Sequence, residues 1–440
     1  MYYKYTTINL KCKEGIEMKK LKVILIGAGN RGMSYTDTMG DMPERFEVIA
    51  VAEPIESRRN YVKEKHNIPE NMCFDDWKPL LALGKIADVA VIATMDRDHL
   101  APSLAAIDLK YDLLLEKPIA PEPEDCKKIT DAAEKNNVKV VICTVLRYTD
   151  IFIQLKDIID SGRIGKIMSI NHEECVGNVH QSHSFVRGNW GNTKRSSNMI
   201  LQKSCHDMDI LQWLLGKKCK KVQSFGELSY FCEANAPEGA PDYCIEGCPM
   251  QDTCLYNAVK LYLDDKDNDW FRGASTREVN PTDEMVKAAI TNTQYGKCVY
   301  KCDNDVVDHQ TVNMLFEDDI TVTFTMNAFN KGGRYIHIMG TKGDLRAALD
   351  KDTPITLYDF AADKTETIPL VAADGINGGH GGGDYGIINT LYEYLIGEYN
   401  GKSIPEIGES YYNHIITFAA EESRLSDKIV DVEEYINTIK

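Results

Sequence analysis

Leu21-Lys22-Val23-Ile24-Leu25-Ile26-Gly27-Ala28-Gly29-Asn30-Arg31-Gly32 decides how this chain is read. Six mostly apolar residues form a strand pattern, the glycines follow at once, and a helix is predicted over Met33–Met39. In G-x-G-x-x-G the first glycine permits a tight turn. The second lets the backbone approach a pyrophosphate, and the third lets helix and strand pack closely. Gly27, Gly29, Asn30, Arg31 and Gly32 are therefore candidate cofactor-binding residues. A second strand, Phe46–Ala52, ends in Glu53, 21 residues after Gly32. An acid about 20 residues on binds adenosine ribose hydroxyls in dinucleotide sites. Glu53 would repel a 2′-phosphate, which favours NAD over NADP, although Arg58 and Arg59 close behind soften that preference.

The alternation continues. Arg58–His66 and Asp75–Leu83 are predicted helices, Ala87–Ala93 a strand ending in Thr94, and His99–Ile107 a helix. Tyr111–Leu115 is a strand that delivers Glu116-Lys117-Pro118, before a helix over Glu122–Asn136 and a strand over Val138–Cys143. Alternating strands and helices imply an α/β unit with a parallel sheet. Ligands of such sheets bind outside the carboxyl ends of the strands. Thr94, His99, Glu116 and Lys117 thus share the crevice with the glycine loop.

The glycine loop, Ala93-Thr94 with His99, and Glu116-Lys117-Pro118 together resemble the glucose–fructose oxidoreductase / inositol dehydrogenase / rhizopine-catabolism (Gfo/Idh/MocA) family. The resemblance implies an NAD(P)-dependent enzyme acting on a sugar, cyclitol or related polyol. It implies a Rossmann domain, placed at 21–145, and an α+β domain with an open, mostly antiparallel sheet, placed at 146–440. It also implies a homodimer or homotetramer, and makes Lys117 catalytic. Residues 1–20 are polar and read as a disordered extension or the product of an upstream start, with Met18 the alternative start.

Over 440 residues the formal net charge is −17, which argues against nucleic-acid and anionic-membrane partners. No apolar run has transmembrane length, so the chain is expected to be cytoplasmic. Its thirteen cysteines are then read as mostly reduced thiols.

In the second half, Val145-Leu146-Arg147-Tyr148 resembles the family's crossover, and places Arg147 near substrate. A helix is expected over Asp150–Ser161, closed by Gly162, then a strand entering at Ile164–Ile170. His172, Glu173, Glu174, His180, His183, Arg187 and Trp190 follow in one segment. It reads as a sugar-binding loop in which Trp190 stacks and His183 and Arg187 bind hydroxyls. A metal site at His180-x-x-His183 and a polar loop over a sheet edge are the other readings. Met199–Leu215 is helical, with Met199, Leu201, Cys205, Met208, Leu211 and Leu215 on one stripe and Gln202, His206, Asp209 and Trp213 on another. A histidine held beside an acid on a helix is a sound general base. Gln202-Lys203-Ser204-Cys205-His206 aligns with the family's Asp-x-x-x-His, which implies that His206 is the catalytic acid/base. Gln202 stands where the family has aspartate, Lys203 adds a cation, and Asp209 is expected to take part of the missing role.

Cys244, Cys248 and Cys254, with Cys298 or Cys302, allow a zinc staple. Free buried thiols are favoured and no metal is assigned. Val306–Phe316 and Ile320–Met326 form an expected hairpin, and Arg334–Gly340, Gly343–Leu349 and Pro354–Asp359 add strands. Gly378-Gly379-His380-Gly381-Gly382-Gly383-Asp384 resembles loops near the active site in a branch of the family, so His380 and Asp384 are substrate-site candidates. Helices are predicted over Tyr385–Ile396 and Ser410–Leu425. Three functions are weighed: an NAD-dependent sugar or polyol dehydrogenase, a glycoside-cleaving or epimerising enzyme with recycled NAD, and an NAD-sensing regulator.

Overall fold

A computed structural model describes residues 19–349, 353–370, 380–401 and 403–440. Met1–Met18 and the Gly378-Gly379 pair lie outside the described residues. The first half runs β1 (Leu21–Ile26), α1 (Asn30–Gly40), β2 (Phe46–Ala52), α2 (Glu56–His66), β3 (Cys73–Phe74), α3 (Trp77–Leu81), β4 (Val89–Ile92), α4 (Leu100–Asp108), β5 (Asp112–Leu115), α5 (Pro123–Asn136) and β6 (Val140–Ile142). Its sheet has the order β3-β2-β1-β4-β5-β6 and every pairing is parallel. Strand order reverses between β1 and β4, and that switch point is where an open α/β sheet binds its ligand.

The helix after the glycine loop starts earlier than predicted, at Asn30 with Gly29 as its N-cap. Gly32 lies inside the first turn, since a Cβ there would sit 2.1 Å from the Gly27 carbonyl oxygen. Conversely, α3 is short and begins where the Asp76 carboxylate accepts from the Lys78 amide.

The second half runs α6 (Asp150–Asp160), β7 (Ile167–Cys175), α7 (Asn178–His180), α8 (Met199–Leu215), β8 (Cys219–Glu227), α9 (Asp269–Thr276), α10 (Asp283–Asn292), β9 (His309–Phe316), β10 (Thr321–Asn327), β11 (Gly333–Gly340), β12 (Gly343–Ala348), β13 (Ile355–Asp359), β14 (Lys364–Ile368), α11 (Gly383–Ile396), α12 (Ile407–Ser426), β15 (Val430–Asp431) and α13 (Val432–Ile436). Nine strands form the order β14-β13-β12-β11-β7-β10-β9-β8-β15. All pairs are antiparallel except β7 with β10. The expected hairpin is β9–β10.

His172, Glu173 and Glu174, expected in a substrate loop, are instead residues of β7 near the sheet's centre. Strand β8 and helices α9 and α10 were not expected. β8 turns Cys219, Val222, Ser224 and Gly226 inward, so only one large aliphatic marks its buried face. The α9–α10 region belongs to a long insertion between β8 and β9 with two small cores of its own. One contains Val186, Phe231, Tyr256 and Val299, and the other Tyr262, Phe271, Val286 and Ile290.

The first sheet is covered on both faces. Ile24, Ile92, Leu113 and Leu115 face one core. Val23, Leu25, Val91 and Leu114 face the other, together with Tyr35 and Met39 of α1. That second core is completed by Ile387, Ile388, Leu391 and Tyr392 of α11. Each large aliphatic buried this way contributes about 1.5–3 kcal/mol. A helix from the far end of the chain thus forms part of the first sheet's packing.

Candidate active site

The crevice begins at Gly27, whose φ of +93° and whose Cβ position, 2.5 Å from the Ala93 carbonyl oxygen, exclude any side chain. The turn is tied down when the Gly27 amide donates to the Ala52 carbonyl and the Ala28 amide to Glu53 Oε2 at 2.7 Å. Glu53 Oε1 accepts from the Ile55 amide, so this buried carboxylate is held at the end of β2. In front of Gly29 the nearest atom to an added Cβ is Arg58 Nη1, 4.0 Å away. No side chain caps α1. A bare helix N-terminus with open space beside Gly29 suits a pyrophosphate. The buried Thr94 Oγ1 has no partner among the described residues, which leaves a hydroxyl for a ligand at the switch point. These features fit a dinucleotide, held by the glycine loop, Glu53 and Thr94.

Beneath the loop lies a charged knot. Arg31 Nε donates to Glu116 Oε1 at 3.0 Å, and its Nη1 and Nη2 donate to Asp384 at 3.0 and 2.7 Å. Tyr35 Oη accepts from Arg31 and donates to Glu116 at 2.6 Å. Burial works to raise the Glu116 pKa, but the Arg31 and Lys117 charges outweigh it and hold the carboxylate below its ordinary value. Tyr35 is a site residue that sequence reasoning missed, since one apolar-looking tyrosine on a helix carries no pattern. Asp384, expected to meet substrate, is 3 % exposed and clamps the glycine-loop arginine from α11.

Lys117 leaves the end of β5 with its amide donating to Glu116 Oε2 at 2.8 Å, and the Lys117–Pro118 peptide is cis. Its Nζ donates to the Gln202 carbonyl at 2.9 Å. With the Gln202 amide oriented by its neighbours, the side-chain oxygen accepts from Trp190 Nε1 at 2.9 Å and Lys117 Nζ at 3.2 Å. His206 follows one turn later on α8, about 6 Å along the axis, and is 7 % exposed. Lys117, Gln202 and Trp190 thus gather from three separate segments, with His206 one turn further along α8. A neutral amide, not a carboxylate, receives the lysine.

Behind them, the closing helix α12 supplies positioning residues that the sequence did not reveal. His414 Nε2 accepts from the Ile119 amide at 3.1 Å, and its Nδ1 donates to the Ser410 carbonyl. Burial, then the Lys117 charge, lower this imidazole to about 4. It is therefore a neutral acceptor that fixes the chain just after Lys117-Pro118.

Several expected site residues take structural places. Arg147 and Asp209 form a fully buried ion pair at 2.6 Å, with Glu409 and Asn413 of α12 completing it. Both side chains are fully buried, and the Asp209 carboxylate, expected to take part of the missing aspartate's role, is held by Arg147. His99 is fully buried and bridges the Pro118 and Thr94 carbonyls at 2.8 and 3.3 Å, so it shapes the loops and stands behind the crevice. His183 is stacked on Phe271 at 3.9 Å and bonded to Tyr262 Oη. Burial, reinforced by the Arg187 charge, lowers it to about 3. Arg187 is 1 % exposed and donates to the Lys297 and Tyr256 carbonyls. Both sit in a buried π-helical turn, Gln181–Arg187, against the insertion. Lys203 pairs with Glu174 Oε1 at 3.2 Å, and Glu174 also receives Arg334. His380 starts a short turn before α11.

Residues 21–144 match the model of a family described as "Oxidoreductase family, NAD-binding Rossmann fold". Residues 156–434 match its companion, "Oxidoreductase family, C-terminal alpha/beta domain". A protein named as an oxidoreductase, YteT of Bacillus subtilis (strain 168), is 22 % identical over 89 % of this chain and 95 % of its own. Inositol 2-dehydrogenase of Salmonella typhimurium is 27 % identical over 47 % of this chain and 57 % of its own, so that match spans little more than half the enzyme. The crystal structure of scyllo-inositol dehydrogenase from Lactobacillus casei, with NAD(H) and scyllo-inositol, superposes with a TM-score of 0.63 over 94 % of this chain and 100 % of its own, at 16 % identity. Among the described residues no helix is long and apolar enough to cross a membrane.

Proposed function

Because the chain belongs to the Gfo/Idh/MocA oxidoreductase family, we propose that it is an NAD-dependent dehydrogenase acting on a hydroxyl-bearing carbon of a sugar, sugar derivative or polyol. The observation that carries this reading is the Lys117 Nζ bond to Gln202, one helical turn before His206. It supports a shared site for a lysine at the first sheet's crevice and a histidine of the second unit. NAD, when bound, supplies the hydride acceptor. Lys117 orients the reacting hydroxyl and steadies negative charge on its oxygen, and His206 takes the hydroxyl proton. Trp190, packed at 6.3 Å against Phe185, offers a face to the apolar side of a sugar ring. We place the enzyme in the cytoplasm, as a homodimer or homotetramer formed through the open face of the nine-stranded sheet.

Purified protein given NAD and a panel of sugars, polyols and aryl glycosides tests the reading. NADH should accumulate with one polyol or sugar class and should vanish in His206→Ala. Aglycone release without net NADH would replace it with the redox-neutral glycosidase or epimerase reading. NAD binding with neither product would leave a sensor.

A further inference from the structure

We propose that Cys244, Cys248, Cys254 and Cys298 form a four-thiolate site for one zinc-class divalent ion, with Arg187 as its buried counter-cation. All four are free thiols, and all four line one cavity in the insertion, walled by Arg187, Tyr256 and Tyr300. The fifth cysteine nearby, Cys302, is outside this lining, and its Sγ faces the Cys298 carbonyl at 3.4 Å.

The second observation is Arg187. Its Nη2 stands 3.6 Å from Cys244 Sγ, and its Nη1 is buried with no hydrogen-bond partner. Among the described residues its guanidinium meets carbonyls, this sulfur and, at 5.9 Å, the Tyr262 ring, but no carboxylate. A buried cation without an anion is costly. A divalent ion bound by four thiolates carries a net charge of −2 and answers that deficit. A backbone amide already points at one of the sulfurs: the Tyr256 amide donates to Cys254 Sγ at 3.4 Å.

The cavity is about 20 Å³, close to the ~10–15 Å³ that one water-sized sphere needs, so there is room for a single ion. The sulfurs line the wall without meeting at a point, since no three His, Cys, Asp or Glu side chains among the described residues stand at metal-binding spacing. Binding would draw them to about 2.3 Å from zinc. The Cys244–Glu246 turn ends in Gly247 at φ +85°, and Cys248 and Cys254 are only half-buried, so this loop has the freedom to close. Four thiols then exchange four protons for one ion. The site would staple the insertion to the Gln181–Arg187 turn, which leads directly to Trp190.

The test uses full-length protein purified without chelator. Elemental analysis should find one zinc per chain. Titration with an organomercurial should release it in step with four thiols, and cobalt exchange should give tetrahedral cobalt-thiolate absorption. Cys248→Ser and Cys254→Ser should lower metal content at least tenfold, while Cys73→Ser in the first unit should not. If the serine variants fail to fold, the organomercurial titration of the unaltered chain decides. Zinc absent on purification and not retained after equimolar addition overturns the proposal, as do a disulfide among the four cysteines or bound iron with labile sulfide.

Discussion

The Lys117 crevice and the Gln181–Arg187 turn are built from the same kinds of residue, yet they end in opposite states. Both looked like ligand sites by composition. In the crevice, Thr94 Oγ1 keeps an unused hydroxyl, Gly29 faces open space, and Lys117 reaches across to Gln202. In the turn, His183 is stacked and bonded, and Arg187 is enclosed by carbonyls and a sulfur. Residue type announces chemistry, but partner geometry decides whether a side chain meets a ligand or holds the protein together.

The sharpest way to break this contrast is to remove the groups facing the crevice. His206→Ala and Lys117→Met should each lower kcat by about 10²–10⁴-fold, with thermal unfolding midpoints close to the parent; loss of fold with loss of activity would put these residues on the structural side. Next in size is the buried pair behind them. Arg147→Leu strands Asp209 and should cost about 3–5 kcal/mol in urea unfolding, whereas an unchanged midpoint would mean that the pair is not charged.

Acid should act on the enclosed histidines. His414 titrates near 6.5 when unfolded but is lowered to about 4 in the fold. The unfolded chain therefore binds more protons between those values, so stability falls as pH drops from 6.5 to 4 and is fully present above 6.5. The His414 share of this loss should approach about 3 kcal/mol and disappear in His414→Gln, leaving the share of His183, measured by denaturant midpoints across that range. Gln202→Asp is a smaller perturbation. The new carboxylate should favour the charged imidazole of His206 and move the acid limb of the kcat/KM profile to higher pH. Smallest of all, His183→Phe should change KM less than twofold, because that ring touches protein alone.

Much of the first sheet was legible because its signals are local. β1, the glycine loop and α1 follow one another within twenty residues, and α8 shows its helical stripe with the observed ends, Met199–Leu215. β8 was hidden because its inward face carries Ser224 and Gly226 in place of an apolar alternation. The crevice position of Lys117 followed from its place at a strand end, but the catalytic roles of Lys117 and His206 came from resemblance, and the Lys117 bond to Gln202 could not be read from spacing across 85 positions. Arg147 and Asp209 misled for one reason: each meets the other across 62 positions. Glu409 and Asn413 complete the pair from the closing helix, where a lone glutamate or asparagine gives no periodic signal.

The return of α11 to the first sheet sets an order in time. Strands β1–β6 leave the ribosome roughly 250 residues before Ile387, Ile388, Leu391 and Tyr392 are made. At about 5–20 residues per second, the Val23, Leu25 and Val91 face waits on the order of tens of seconds for its cover. The arginine of the glycine loop acquires its Asp384 clamp only after the same delay. The nucleotide pocket is therefore among the last parts of a nascent chain to mature, although its motif is among the first to be translated.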